Sequence, residues 1–344
     1  MSLTYTAYMT RRLIKVGGIS IISLTLFWMI TSLAIKAYRA AHPPYLAPDV
    51  KYGVLPKVVF PNKKFESKNF SAEMANDVLP SFPDQAKVYV ITRSDSTFLA
   101  LDEDTKTASA LGFKGNPIQT GDGIYQFKNT TLNQTLTMNV LQNSFQMDYP
   151  YREDQTLYSP TEMPTKENAV NMAKSYLSSA YKLADDLANG ETKVTYWKIN
   201  YEGLTSVSSL SEANAIKVDF FRQDLDNLKV LSADIKSASV SVLLTGSQVE
   251  GKKIVQVFYK YAKIDRELFS TYPIKSATEA WNDLTAGNYW PAEDTSSNKV
   301  VIRKMYLAYF EPVSLTNYLQ PVYVFEGDNN FVAFVPAVAK KYTK

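Results

Sequence analysis

The sequence predicts an α+β protein tethered to a membrane by one N-terminal helix. Three observations carry that prediction. An uncharged apolar run, Val16–Ile35, lies near the N-terminus. Two later stretches have apolar residues at helical spacing, and each is followed by runs rich in β-branched and aromatic residues. Clusters of Gly, Asn and Pro separate those runs. The chain of 344 residues holds 23 Tyr, 17 Phe and 4 Trp, enough to fill a sizeable core, and its length suits two or three domains.

The apolar run has 20 residues, and at about 1.5 Å per residue it reaches about 30 Å, the thickness of a hydrocarbon layer. A cleavable signal has a shorter apolar region, about 7–15 residues, and a small-residue end. Here Lys36 and Arg39 follow, so residues 16–36 read as an uncleaved anchor. Arg11, Arg12 and Lys15 precede it, and Lys36, Arg39 and Lys51 follow. This balance gives the positive-inside rule little to work on. The short first segment, 1–15, and the Cys-free, Tyr-rich remainder favour a cytoplasmic N-terminus and an extracytoplasmic body in a cell envelope.

The net charge of +3 is unevenly placed. Residues 1–48 carry five basic residues and no acid, whereas 49–344 carry 32 basic and 34 acidic residues. The excess of base flanks the anchor, so no nucleic-acid surface is expected. The absence of Cys excludes thiol nucleophiles, disulfides and Cys-ligated metals. The single His42 excludes any site needing two imidazoles from one chain, and its place just past the anchor reads as a solvated interfacial position. Asp102-Glu-Asp104 lacks the spacing of a calcium loop. Gly115, Gly121 and Gly123 lack the flanking residues of a phosphate loop. No metal or cofactor is expected.

The anchor leads into a Pro-rich stretch, 37–64, expected to be a stiff stalk. Residues 65–150 read as a β-rich, membrane-proximal domain with a strand at 87–92, a short helix ending near Gly112, and hairpin-like runs from 124 to 149. A Pro-containing linker follows to 164. The first α+β module, 164–265, begins with a helix capped by Thr165, with apolar positions from Ala169 to Leu187 and a stop at Asn189-Gly190. Strands are expected at 193–201, 215–221 and 238–244, the last joined through a Gly-containing turn to 253–264. The second module, 266–338, opens on the capping box Ser276-x-x-Glu279, buries Ala280, Trp281 and Leu284, and stops at Gly287. Strands at 300–310, 320–326 and 331–335 complete it, and 339–344 form a basic tail. Both modules follow the order helix, long strand, loop, strand, strand, so they read as a repeat.

The residues Ile274, Ser276, Ala280, Leu284, Leu307, Tyr309, Pro321, Val322, Tyr323 and Phe325 form a pattern of capped helix, strand ending in Leu-Ala-Tyr, and Pro-Val-Tyr-Val-Phe strand. Over about residues 164–338 this pattern resembles the membrane-anchored YycH/YycI regulatory proteins and the wider PepSY-like modules. The single N-terminal span is similar as well. The resemblance carries no catalytic residue and implies protein–protein regulation in the envelope.

Chemistries needing neither Cys nor His remain open, such as Ser–Lys dyads and carboxylate pairs. Glu162, Glu167, Asp185, Asp186, Asp219, Asp224 and Asp226 are the acids to consider, but sequence spacing does not bring any two together. The expected function is therefore non-catalytic, the binding or regulation of another envelope protein. The alternatives are an enzyme or enzyme accessory acting on cell-wall polymer, or a structural component. Aromatic rings supply interface area at low entropy cost, which makes Tyr289, Trp290, Tyr306 and Tyr318 the candidate partner contacts. Alternation along the strand groups Tyr306 with Ile302, Lys304 and Ala308 on its wetter face, and core packing is the competing role for every one of these rings.

Overall fold

The computed structural model describes residues 3–41, 45–74, 78–92, 97–159, 162–312 and 316–344. It divides into two units, Met1–Pro48 and Asp49–Lys344. His42 and the first prolines of the expected stalk lie outside the described residues.

The first unit is helix α1, Leu3–Ala41. Its stretch Ala7–Arg39 is long and apolar enough to cross a membrane. The helix outruns the 16–36 span because no proline interrupts the flanks before Pro43. The hydroxyls of Ser20, Thr25, Thr31 and Ser32 donate back to carbonyls one turn earlier. The helix thus satisfies its own polar side chains, as an apolar surround requires.

The second unit is α+β and contains two sheets. The first has nine strands, all antiparallel to their neighbours. They are β3 (Ile118–Gly121), β4 (Ile124–Asn129), β5 (Gln134–Asn139), β6 (Ser144–Asp148), β7 (Thr192–Asn200), β8 (Gly203–Val207), β9 (Ala215–Phe220), β11 (Val240–Thr245) and β12 (Ile254–Lys260). They lie side by side in the order β3-β4-β5-β6-β12-β11-β9-β7-β8. Helices α2 (Thr97–Ala110) and α3 (Lys166–Ser179) bury one face of this sheet. Ala169, Ala173 and Leu177 of α3 recur every fourth position, are fully buried, and pack with Ile216, Val218 and Val242.

The second sheet has the path β1-β15-β16-β17-β14, with β1 (Asn69–Ala72), β14 (Trp290–Glu293), β15 (Lys299–Phe310), β16 (Tyr318–Gly327) and β17 (Val332–Pro336). Three further strands attach to it. β10 (Val230–Leu231) pairs with β15, β2 (Gln85–Thr92) with β16, and β13 (Lys263–Pro273) with β2. Helix α5 (Ala277–Thr285) covers one face. Its capping box is made as expected, with the Glu279 amide donating to Ser276 and the Ser276 amide to Glu279. Gly287, at φ 82°, supplies the left-handed residue that ends it.

The paths β7-β9-β11 and β15-β16-β17 both run antiparallel, but β8 falls between β7 and β9 in the chain and β14 between α5 and β15, so the two runs of elements differ in order. Other expectations meet a different arrangement. Among the described residues, 65–150 form no sheet of their own. β1 and β2 join the second sheet, and β3 to β6 extend the first. The stretch from Asp49 is no free stalk, because Leu55 is fully buried and bridges Thr343. The helix expected to reach Leu187 stops at Ser179, where Tyr181 adopts φ 57° and the Lys182 amide closes on the Leu177 carbonyl. A short helix α4, Asp185–Ala188, then resumes. Leu183, Ala184 and Leu187 still reach the same core, so the apolar period runs on through a break in the helix. Gly190 follows where a Cβ would lie 1.9 Å from the Phe221 carbonyl oxygen, so only glycine fits there. On β15 a register shift between Ile302 and Lys304 turns Ile302 to the side of Met305 and Leu307 and away from Tyr306.

The linker after β6 is pinned by Asp154, whose carboxylate accepts from the Tyr149 hydroxyl at 2.5 Å and pairs with Lys252 at 2.5 Å. Burial alone would raise the Asp154 carboxyl. The hydrogen bonds from Lys252, Thr156 and Tyr149 together outweigh it and hold the group well below its ordinary 3.8. The folded-state pKa is depressed, so this stabilisation is complete above about pH 5 and drains away as pH falls through the acid range. Asp154→Asn is expected to lower stability at pH 7 and to flatten the acid limb of the stability curve below about pH 4, read by denaturation at stepped pH. Ser276→Ala is expected to cost about 1 kcal/mol through the lost cap. Leu177→Ala is expected to cost about 2–5 kcal/mol through the cavity it leaves, measured in the same denaturation series.

Candidate functional site

Among the described residues the chain passes between the two sheets four times. It passes from β2 to β3, from β9 to β10, from β10 to β11, and from β12 to β13. The last passage uses only Tyr261 and Ala262. The third is the loop 232–239. The second turns at Asp226 and Asn227, both at positive φ, with Leu225 and Leu228 exchanging backbone hydrogen bonds across the turn. Asp226 also accepts from the Tyr89 hydroxyl at 2.5 Å and from Lys87 at 3.1 Å, which ties that turn to β2.

Arg222 sits at this waist, just past β9, with its side chain 3% exposed. Its Nε donates to Asp186 at 3.0 Å and its Nη1 to Glu311 at 3.3 Å. Nη2 donates to the Ala262 carbonyl. The guanidinium lies 4.2 Å from the centre of the Tyr261 ring, and the Tyr261 hydroxyl donates to the second oxygen of Asp186 at 2.8 Å. Glu311, directly after β15, accepts from Ser239 at 2.5 Å on its other oxygen. One buried cation thus joins α4, the β12–β13 passage and the end of β15, and so both sheets. Burial opposes its charge, but Glu311, Tyr261 and Asp186 more than compensate, and the guanidinium stays ionised. Burial, with help from Asp186, pushes the Tyr261 hydroxyl up to about 12 against the opposing pull of Arg222, which keeps it a donor.

Beside this cluster opens a cleft of about 580 Å³, within the range of small-ligand sites. Ile91, Leu141, Phe258 and Tyr261 give it apolar walls, and Glu103, Lys260, Lys263 and Glu311 give it charge of both signs. Phe258 is 42% exposed, one of the larger aromatic surfaces of the second unit. Burial lowers the Lys260 pKa, and Glu311 partly offsets this. Glu311 and Arg222 are already engaged with each other and with their neighbours. Chemically the cleft can receive an apolar side chain or short segment and meet it with Lys263 or Glu103. Among the described residues no group of three or more metal-ligating side chains gathers.

None of the four aromatics expected to meet a partner lines this cleft. Tyr289 and Trp290 are 7% and 8% exposed and belong to the core of the second sheet. Tyr318 is half-buried and stacks on Tyr52 at 5.2 Å. Tyr306 is half-buried, donates to Glu326 at 2.7 Å, and lies under Lys304 at 4.8 Å. Tyr289 immediately precedes β14 and Trp290 opens it, and the two neighbours pack into different core clusters of the second sheet. Arg222 and Glu311 escaped the sequence reading. Their one signal is a lone charge at the end of an apolar aromatic strand, in Asp-Phe-Phe-Arg and Ala-Tyr-Phe-Glu.

No family model and no curated relative matches the chain. It is similar to several solved structures, among them these three. One is an uncharacterized protein from Eubacterium rectale, at 11% identity over 77% of this chain and 86% of that one, with a TM-score of 0.39. Another is the YpeB C-terminal domain of Bacillus megaterium, at 13% identity over 73% and 96%, with a TM-score of 0.28. The third is YycH from Bacillus subtilis, at 12% identity over 74% of this chain and 53% of that one, with a TM-score of 0.32.

Arg222→Met leaves two carboxylates facing each other in a buried setting without their cation. It is expected to cost about 3–5 kcal/mol, and adding Glu311→Gln and Asp186→Asn is expected to recover most of that. Trp197 lies on β7 and Trp290 on β14. In single-tryptophan versions of Arg222→Met the two are expected to report separate unfolding midpoints, against one shared midpoint when Arg222 is present.

Proposed function

We propose that this chain is a membrane-anchored envelope protein whose body, residues 49–344, is extracytoplasmic, and that it binds and regulates another envelope protein through the waist cleft. Residues 16–36 form the membrane-spanning part and residues 1–15 remain in the cytoplasm. The cleft of about 580 Å³ carries this reading. It is bounded by strand ends of both sheets, so a segment seated in it touches both at once. Its walls combine an exposed aromatic with charges of both signs, the mixture by which protein interfaces set affinity and register.

The test is photo-crosslinking from position 258 or 263 of the full chain in its native membrane, with mass spectrometry of the products and residues 1–48 alone as control. One recurrent envelope protein is expected from both positions and is expected to be lost with Phe258→Asp in the 263-labelled chain. Products scattered over many proteins, or equally captured by the control, would remove the cleft as a docking site.

A further inference from the structure

The segment that follows the anchor lies on the second sheet as a bound peptide does. Leu55 inserts among Val88, Tyr272 and Val338. Phe60 stacks on Trp290 with ring centres 5.4 Å apart and planes within 5°, and meets Phe310 at 4.8 Å. Tyr52 stacks on Tyr318, and Phe65 packs on Tyr289 at 5.0 Å. Between these points the chain is open to solvent, with Val54 49% and Val59 54% exposed. Past Tyr52 its backbone–backbone pairing with the rest of the body is with the last residues of the protein. The Leu55 amide donates to the Tyr342 carbonyl, the Lys344 amide to the Leu55 carbonyl, and the Lys57 amide to the Lys344 carbonyl.

Side chains of the sheet read the segment through the carbonyls of its two prolines. Trp290 Nε1 donates to the Pro61 carbonyl and Gln320 Nε2 to the Pro56 carbonyl, both at 2.8 Å. Proline offers no amide donor and loses little entropy on ordering. A surface of aromatic rings with indole and amide donors aimed at proline carbonyls is a general solution for recognising such segments. Three of the aromatics that the sequence marks as partner contacts, Tyr289, Trp290 and Tyr318, are covered by Phe65, Phe60 and Tyr52 of this one segment.

We propose that the face of the second sheet formed by Trp290, Phe310, Tyr318 and Gln320 is a recognition surface for extended, proline-punctuated peptide segments, and that residues 52–65 are its own occupant, docked in cis and able to detach while the sheet stays folded. The surface is distinct from the waist cleft and does not depend on its role. Detachment leaves it open to a partner segment of the same chemistry, leucine-proline followed at short spacing by an aromatic-proline pair. In the intact chain a competing peptide works against a tethered ligand at an effective concentration of about millimolar.

Two measurements on the full-length protein in detergent test this. In native-state hydrogen exchange, the amides of Leu55 and Lys57 are expected to exchange at least about 100-fold faster than those of Leu307 and Phe325 in β15 and β16, as a local opening does. Exchange of both sets at one rate would make the segment a permanent part of the sheet and overturn the proposal. A fluorescent synthetic peptide of residues 52–65 is expected to bind Phe60→Ala at least about tenfold more tightly than the unsubstituted chain, because the tethered competitor is weakened. It is expected to lose that gain when Trp290→Phe is added, which removes the indole donor and keeps a ring. No gain in Phe60→Ala, with the β15 and β16 amides still protected, would show that the surface does not recognise the segment as a separable ligand.

Discussion

The chain's four passages through one waist set the terms for the rest of the body. The β9–β10 and β12–β13 passages bring backbone polar groups to the same place, and the Arg222 cluster is what makes that place tenable. A buried guanidinium is costly unless its donors are met and its charge balanced. Asp186, Glu311 and the Ala262 carbonyl meet those conditions. The partners come from α4, the end of β15 and the β12–β13 passage, so satisfying the cation fixes these three relative to one another. The two sheets therefore behave as one compact unit although each has its own core.

The loop 232–239 links the waist to the outer face of the second sheet. Ser232, Ser237 and Ser239 line the cleft, and Ser239 holds Glu311. Ala233 and Ile235 pack with Phe60 and Val58 against the core that contains Trp290, Phe310 and Phe334. The loop thus contacts both surfaces, with its serines at the cleft and Ala233 and Ile235 beside the post-anchor segment.

The sequence was legible where local physics decides the outcome. The capping box at Ser276, the Thr165 cap, the turn at Gly287 and the alternation along β5 each depend on a few adjacent residues. The long apolar N-terminal helix follows from length and charge alone. What could not be read depends on residues far apart in sequence. Arg222 and Glu311 are separated by 89 positions, and each alone is an ordinary charge at a strand end. The strands of 65–150 carry the right β pattern, but the pattern does not say which sheet they join. The β15 bulge reverses the assignment of Ile302 without leaving a Gly or Pro to mark it. Tyr289, Trp290 and Tyr318, expected from their residue type to meet a partner, pack in this structure on Phe65, Phe60 and Tyr52 of the same chain.

The order of strands explains why the waist rather than either core is the place to look for function. The first sheet is drawn wholly from residues 118–260, whereas the second takes β1 and β2 before it, and β13 to β17 after it. The nine-stranded sheet is thus an insertion within the eight-stranded one, and β10 is a brief return in its middle. The segment leaving the N-terminal helix and the C-terminal residues bridge each other at Leu55 and Thr343, and Leu55 and Tyr342 pack with Val88 and Tyr272 of the second sheet. Both ends of the body are therefore held by the same sheet, and the insertion is covalently joined only through the passages at the waist. A partner that grips the first sheet can act on the anchored sheet through those passages and the contacts around them. The Arg222 cluster, which draws on elements beside both sheets, is a polar device on that route buried enough for a change in its partners to register as a change in stability.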